Sequence, residues 1–322
     1  MFDVVALGEL LIDFTPAGNA QSGNLIFERN PGGAPANVLA AISKLGGSGA
    51  FIGKVGDDQF GHFLKGVLDE NQIHTKGIRF SKEANTTLAF VHLDSQGDRS
   101  FSFYRSPGAD TTLQEDELDL KTIDQSKIFH FGSLSMTNEP AKTATIKAVE
   151  YAKRSKKIIS YDPNWRPLLW KSNEEAKKGM TLGLTYADVL KISEEELAFL
   201  TGEADLDRGS SILSDMGVKL VLITLGAKGS FYRCNGIVGH MSTYQTNVID
   251  TTGAGDAFMG GLLYQISRLD KPLNALDIQD LKGLTMFSNA VGAVCASKRG
   301  AIPAMPSMEE VEICMNNTPM NK

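Results

Sequence analysis

The stretch Asp250-Thr251-Thr252-Gly253-Ala254-Gly255-Asp256 follows a β-leaning segment, Thr243 to Ile249. It precedes apolar residues at helical spacing: Phe258, Leu262, Leu263 and Ile266. That order predicts a loop that opens a helix. Gly253, Ala254 and Gly255 are small, so several backbone N–H groups can converge on one point without obstruction. A helix start leaves N–H groups unpaired and carries partial positive charge. The two features together make an anion site, suited to phosphate oxygens or to charge developing on a phosphoryl group. Asp256 closes the loop. A carboxylate beside a phosphate makes chemical sense as a general base, taking the proton of an attacking hydroxyl while the N–H groups hold the transferred group. Alone, the run also fits a tight turn whose Asp merely caps the helix, so the reading depends on the rest of the chain.

A second Gly-rich stretch, Asn30-Pro31-Gly32-Gly33-Ala34-Pro35-Ala36-Asn37, also precedes helical apolar spacing, at Val38, Ile42 and Leu45. Here the polar residue one turn into the helix is Asn37. Its amide offers both a donor and an acceptor, which suits a neutral polyol as well as it suits a cap or a buried structural amide.

The 322 residues suit one large or two ordinary domains. A net charge of −6 argues against general binding to nucleic acid or a membrane surface, but leaves room for a small anion held by a local nest. The three cysteines, Cys234, Cys295 and Cys314, fit neither a disulfide framework nor zinc spacing. Asp3, Glu9 and Asp13 interrupt the N-terminal apolar stretch, so no signal peptide is expected. No apolar run approaches the ~18 residues of a membrane span. The expected location is the cytoplasm.

Strand-like runs at Phe2–Leu7, Ala50–Val55, Lys127–Phe131, Lys157–Tyr161, Ala187–Ile192 and Val218–Thr224 alternate with helical patterns. The helical patterns fall at Gln59–Asn71, Pro140–Lys153, Asn173–Gly183, about Ala254–Arg268 and about Leu284–Ser297. This order predicts a parallel sheet with helices on both faces. Thr86–Leu93 and Ser100–Arg105 alternate instead, around a turn at Ser95-Gln96-Gly97-Asp98, and predict an inserted hairpin. With Leu25–Glu28 it is expected to form a small separate sheet, read as a lid with Arg105 at a strand end. Asp13 is expected where a strand emerges. Asp162-Pro163-Asn164-Trp165-Arg166 follows a parallel strand, where open α/β sheets bind ligands. Ser193-Glu194-Glu195-Glu196 is expected to cap a helix, and the tail from Asn316 to fray. No repeat or linker divides the chain.

Gly32-Gly33-Ala34-Pro35-Ala36-Asn37 and Asp250-Thr251-Thr252-Gly253-Ala254-Gly255-Asp256 together resemble the two signatures of the ribokinase-like (pfkB) carbohydrate kinase family. They are independent, in the right order and over 200 residues apart. The resemblance runs from Val5-Ala6-Leu7-Gly8-Glu9 to Gly300-Ala301-Ile302-Pro303. Three further stretches match the fructokinase pattern within that family. They are Phe103-Tyr104-Arg105 through Asp110, Tyr161-Asp162-Pro163-Asn164 with Arg166, and Glu196-Leu197 through Thr201-Gly202.

The resemblance implies a ribokinase-like three-layer α/β sandwich with a mostly parallel central sheet and a small β-sheet lid. It implies one domain over residues 1–322, with lid segments at about 14–30 and 82–110. It also implies ATP as phosphoryl donor, Mg²⁺, a K⁺ site and a homodimer through the lid. Asp256 is then the base, and the amides of Gly253, Ala254 and Gly255 hold the phosphoryl group. Asp13, Gly32, Gly33, Asn37, Phe103, Arg105, Asn164 and Arg166 are the implied sugar contacts. Lys191, Ser193, Glu196, Thr224, Gly226, Lys228, Gly229, Gly253, Gly255 and Asn289 are the implied nucleotide contacts. Glu196 would organise Mg²⁺ through water; Ser193 stands where the wider family has Asn. Carbonyls near Asp250, Thr252 and Gly300 resemble the monovalent-cation site.

Fructose is the expected sugar. Within the family the alternatives are 2-keto-3-deoxygluconate, with Arg105 and Arg166 as a carboxylate clamp, ribose, and aminoimidazole riboside. The intact Gly253, Gly255 and Asp256 speak against a non-catalytic sugar-binding relative. A dehydrogenase would need Gly-x-Gly-x-x-Gly where the chain has Gly8-Glu9-Leu10-Leu11, and Gly226-Ala227-Lys228-Gly229-Ser230 is too short for a Walker loop.

Overall fold

The first apolar run sends its side chains to two different cores: Val4 and Ala6 to one, Val5 and Leu7 to the other. A strand buried on both faces needs a layer on each side, and the rest of the chain supplies them. The computed structural model describes residues 1–93 and 99–321. In chain order the first half contains β1 (Phe2–Leu7), β2 (Leu11–Asn19), β3 (Leu25–Gly32), α1 (Ala34–Lys44), β4 (Gly49–Gly56), α2 (Gln59–Glu70), β5 (His74–Ser81), β6 (Leu88–Leu93), β7 (Arg99–Tyr104), α3 (Leu120–Asp124), β8 (Ser126–Gly132) and α4 (Ala141–Arg154). The second half contains β9 (Ile158–Asp162), α5 (Asn173–Leu184), β10 (Val189–Ser193), α6 (Glu194–Thr201), α7 (Leu206–Asp215), β11 (Leu220–Thr224), β12 (Ser230–Cys234), β13 (Ile237–Met241), α8 (Ala254–Ile266), α9 (Ile278–Ala296) and α10 (Met308–Asn317).

The large sheet has nine strands in the order β13-β12-β11-β10-β9-β8-β1-β4-β5. It is parallel from β5 to β11, and β12 and β13 return antiparallel. One core joins α1, α2, α8, α9 and α10 to one face of this sheet. The other joins α3 to α7 to the opposite face. Where α1 meets α8, the backbones touch: a Cβ on Gly260 would lie 2.5 Å from Ala41 Cβ and 2.9 Å from the Val38 carbonyl oxygen.

The second sheet has four strands, β3-β2-β6-β7, with β2 and β6 parallel and the other pairs antiparallel. It rests on α2 through Phe14 against Phe60 and through the Arg29 guanidinium, 3.7 Å from the centre of the Phe63 ring. The expected hairpin and small sheet are present. The turn placed at Ser95-Gln96-Gly97-Asp98 lies outside the described residues. Asp13 belongs to β2 of the small sheet, not to a strand of the large one.

Several expectations fail. Thr243–Ile249 is irregular, with a single bridge from Tyr244 to Met320, because the large sheet already ends at β13. Four elements went unpredicted: β5, α3, α7 and α10. The tail does not fray. Gln245 N–H donates to the Pro319 carbonyl, and Asn321 N–H donates to that of Thr243. The late helix begins at Ile278, where Asp277 accepts from the N–H groups of Gln279 and Asp280.

Candidate active site

Both Gly-rich stretches open helices, and those helices are neighbours. α8 starts at Gly253, whose φ of 76° and ψ of −3° are left-handed. A side chain there would strain the backbone, and its Cβ would lie 2.9 Å from Ala301 Cβ. Asp250 shapes the loop before it. Its Oδ1 accepts from Thr252 N–H at 2.9 Å and from the Thr252 hydroxyl at 2.7 Å, and its Oδ2 accepts from Gly300 N–H at 3.1 Å. The three residues of the expected monovalent-cation site are therefore in one place. Ala254 N–H donates to the Thr251 carbonyl at 3.2 Å, so the turn itself uses one of the expected nest amides. The helix ladder offers the Gly255 and Asp256 N–H groups no acceptor.

Asp256 lies in the first turn of α8, buried, and its Oδ2 accepts from Asn37 Nδ2 at 2.8 Å. Burial raises its pKa. The charge of Lys191, the Asn37 bond, Arg166 and Asn164 act the other way. Lys191 Nζ is buried and donates to Asp162 Oδ2 at 2.6 Å. It also faces the loop, since a Cβ on Gly255 would lie 3.1 Å from it. Burial works against the ammonium, but the carboxylates of Asp162, Glu196 and Asp256 hold its pKa above the usual range.

One cavity of about 530 Å³ opens onto this carboxylate. Asp13, Gly33, Asn37, Phe103, Asn164 and Arg166 line it on one side; Gly253, Gly255 and Asp256, with Asp250, Thr252 and Gly300, line it on the other. The Asp13 carboxylate fills the space that a side chain at Gly32 would need. Burial pushes its pKa up to about 7, with Arg166 opposing and Asp256 adding to the rise. The small sheet presents two different surfaces to the cavity. The cross-strand pairs Asp13–Asn30 and Thr15–Glu28 form a polar half, and Val91, Phe101 and Phe103 an apolar half.

Arg105 does not line the cavity. Its side chain is buried and committed. It donates to Asp110 Oδ2 from Nε at 2.8 Å, to the Thr137 hydroxyl at 2.9 Å and to the Leu134 carbonyl at 2.8 Å. Arg166 does line the cavity, with one bond to the Trp165 carbonyl, and Arg299 lines it as well.

The expected nucleotide residues other than Gly253 and Gly255 lie away from this wall but fall in a row across the sheet. Ser193 on β10 pairs with Thr224 on β11, which pairs with Ser230 on β12. The Ser230 hydroxyl donates to Asn289 Oδ1 at 2.9 Å. The Asn289 amide nitrogen donates to the Met241 and Ser242 carbonyls, so this side chain is largely satisfied by protein. Gly226, Lys228 and Gly229 form the turn after β11, with Gly226 and Lys228 exposed. Ser193 caps α6 in a reciprocal box with Glu196. Glu196 Oε2 accepts from Ser193 N–H at 2.8 Å and Oε1 from Trp165 N–H at 2.7 Å. Each oxygen keeps a lone pair for water.

Sequence reasoning gave no individual role to Asp162, Glu9, Glu28 or Asn30. Asp162 carried a signal, a carboxylate ending a parallel strand. Glu9 carried another, one charge inside an apolar run.

Two helix N-termini, a buried carboxylate and one shared cavity suit transfer of a phosphoryl group to a bound hydroxyl. The model of the pfkB family carbohydrate kinases matches residues 1–308, and the chain belongs to that family. It is 46% identical to the probable fructokinase-2 of Arabidopsis thaliana over 307 residues, 94% of this chain and 93% of that one. Its fold is similar to that of fructokinase with bound ATP from Xylella fastidiosa (TM-score 0.90, 35% identity, 98% of each chain covered). It is also similar to a fructokinase double mutant from Vibrio cholerae O395 in fructose-, ADP- and potassium-bound form (TM-score 0.88, 33% identity, 97% and 98% covered). The ribokinase-like three-layer fold is thereby shown. Among the described residues no helix is long and apolar enough to cross a membrane.

Proposed function

We propose that the protein is an ATP-dependent fructokinase whose general base is Asp256. The observation that carries this reading is the Asn37–Asp256 hydrogen bond of 2.8 Å, which puts a buried carboxylate where both helix N-termini meet one cavity. The similarity to fructokinases along nearly the whole chain supports the choice of sugar.

In the proposed reaction the primary hydroxyl of fructose gives its proton to Asp256, and its oxygen attacks the γ-phosphorus of ATP. The bond from that phosphorus to the β–γ bridging oxygen breaks, ADP leaves and fructose 6-phosphate forms. The raised pKa of Asp256 makes it a better proton acceptor than an ordinary carboxylate. The N–H groups of Gly255 and Asp256, to which the helix ladder offers no acceptor, stabilise charge on the moving phosphoryl group, each such donor being worth about 10²–10³ in rate. Lys191, held by Asp162, adds positive charge behind Gly255. Asp13, Gly32, Gly33, Asn37, Asn164 and Arg166 bind the sugar. The ATP runs along the row from Ser193 to Asn289, past Thr224, Gly226, Lys228 and Gly229.

No group of three His, Cys, Asp or Glu side chains among the described residues is placed to hold a metal ion directly. Glu196 would hold Mg²⁺ through water beside the ATP phosphates, where the ion would neutralise phosphate charge. A K⁺ ion near Asp250, Thr252 and Gly300 would steady the nest loop. The segments at about 14–30 and 82–110 act as the lid of a single kinase domain. Leu25, Ile26, Phe101 and Tyr104 leave apolar surface exposed on that sheet, which supports a homodimer through the lid. We place the enzyme in the cytoplasm.

The stacked Phe101–Phe103 pair beside the cavity favours one second reading, a riboside carrying an aromatic base. Mg²⁺-dependent ADP release, measured on fructose, ribose, 2-keto-3-deoxygluconate, aminoimidazole riboside and adenosine, tests both. A kcat/KM preference for fructose is expected. Preference for a riboside would transfer the mechanism to that sugar, and turnover of none would overturn the kinase reading.

A further inference from the structure

Among the described residues, six buried side-chain polar atoms have no hydrogen-bond partner: Glu9 Oε2, Asn37 Oδ1, Asp162 Oδ1, Asn164 Nδ2, Trp165 Nε1 and Trp170 Nε1. An orphaned buried polar atom is costly, so it is kept only where something satisfies it. Three of the six belong to residues of the cavity wall: Asn37, Asn164 and Glu9. The first two are already proposed sugar contacts. Glu9 belongs to neither Gly-rich stretch.

Glu9 is 3% exposed. Its Oε1 accepts from Ala34 N–H, the first residue of α1, at 2.9 Å. It does so because the preceding Gly33 has no side chain to cap the helix. Ala34 itself lines the cavity. The second oxygen is therefore one carboxylate width from that wall, with its acceptor capacity unspent. A helix cap needs only one oxygen, and an uncharged Asn or Ser would provide it at lower desolvation cost. The use of a buried carboxylate leaves one strong acceptor to be explained, and the cavity is the place where a hydroxyl donor can arrive.

We infer that Glu9 is a further sugar-contacting residue: Oε1 holds the start of α1, and Oε2 accepts a hydrogen bond from a sugar hydroxyl other than the one phosphorylated. This rests on the sugar-kinase reading and adds a specificity-determining residue to it.

The test compares wild type and Glu9→Gln on fructose and on its monodeoxyfluoro analogues at each position except the reacting one. Gln keeps the size and can still cap α1 through its oxygen, but it turns the second atom from acceptor to donor. Fluorine cannot donate. At pH 8.5, above the value of about 7 to which burial raises the Glu9 carboxyl, wild type is expected to disfavour one fluoro analogue by roughly ten- to hundredfold in kcat/KM, the range for a lost bond to a charged acceptor. In Glu9→Gln that selective penalty is expected to shrink severalfold or more, with the KM for ATP unchanged. Thermal melting of Glu9→Gln, expected near that of wild type, checks that the cap survives. If both proteins discriminate alike across all analogues, Glu9 is only a cap and the inference fails. If wild type phosphorylates no sugar, the kinase reading fails instead.

Discussion

Asn37 donates its side-chain amide to Asp256 at 2.8 Å, joining residues 219 positions apart in the chain. Each sits in the first turn of its own helix. The bond makes one site of two Gly-rich loops, and it favours the charged form of a carboxylate that burial disfavours.

Asp256→Asn removes the base and keeps the shape. Turnover should fall by about 10²–10⁴, the usual range for general acid–base catalysis. Fructose and ATP should still bind within severalfold of wild type by calorimetry. Near-normal turnover would mean that the proton goes elsewhere.

Asn37→Leu removes a hydrogen bond that stabilises ionised Asp256. The carboxylate pKa should rise further, so the base is protonated up to a higher pH. The acid limb of the kcat profile should move upward by about one to two pH units, the equivalent of a lost bond to a charged group. An unmoved limb would show that the bond does not tune the base.

Lys191→Met strands Asp162 as a buried carboxylate without its partner. Unfolding in urea should show a loss of about 3–5 kcal/mol. Adding Asp162→Leu should recover most of that stability. Turnover should stay low in both, because the positive charge behind Gly255 is gone. Recovery of activity along with stability would reduce the pair to a structural role.

Gly253→Ala forces a side chain into a left-handed residue and against Ala301. The backbone term alone is about 1–2 kcal/mol, and relief of it would turn the nest amides away from the phosphoryl group. The expected signature is a large fall in kcat with a small change in the KM for ATP. A loss confined to KM would place the loop's role in binding instead.

Arg105 is tied to Asp110 behind the cavity wall, so it is not the partner of Arg166 in a carboxylate clamp. Arg105→Met should therefore cost stability, about 3–5 kcal/mol for a broken buried pair, measured by urea unfolding. 2-Keto-3-deoxygluconate should be a poor substrate of wild type. Efficient turnover of that acid would show that Arg105 leaves Asp110 during the reaction.

The large-sheet strands from β1 to β11, apart from β5, were legible because apolar runs bounded by turns have few other readings. The two loops were legible because Gly, Pro and small residues at a helix entrance have a local physical meaning. β5 was not, since His74-Thr75-Lys76-Gly77 reads as polar loop until β4 pairs with it. Thr243–Ile249 misled in the other direction: its residues favour strand, but no sheet edge lies beside it to complete the ladder. α10 is amphipathic and capped by a Ser307–Glu310 box, a signal that was present and not used. The commitment of Arg105 to Asp110 was hidden because a charge looks alike in sequence whether it faces ligand or partner. Glu9 was passed over for the same reason.

The Gly260 crossing has a consequence for how such an enzyme can change. Because α1 and α8 touch backbone to backbone there, the spacing of Asn37 and Asp256 is set by a rigid joint one helical turn behind them. The strands β2, β3, β6 and β7 take no part in that joint. Mutations in them can remodel what the cavity admits while the reacting geometry stays as it was. Part of the selectivity is thus inherited apart from the catalytic chemistry, and a library confined to the small sheet should yield new acceptor preferences far more often than one that includes position 260.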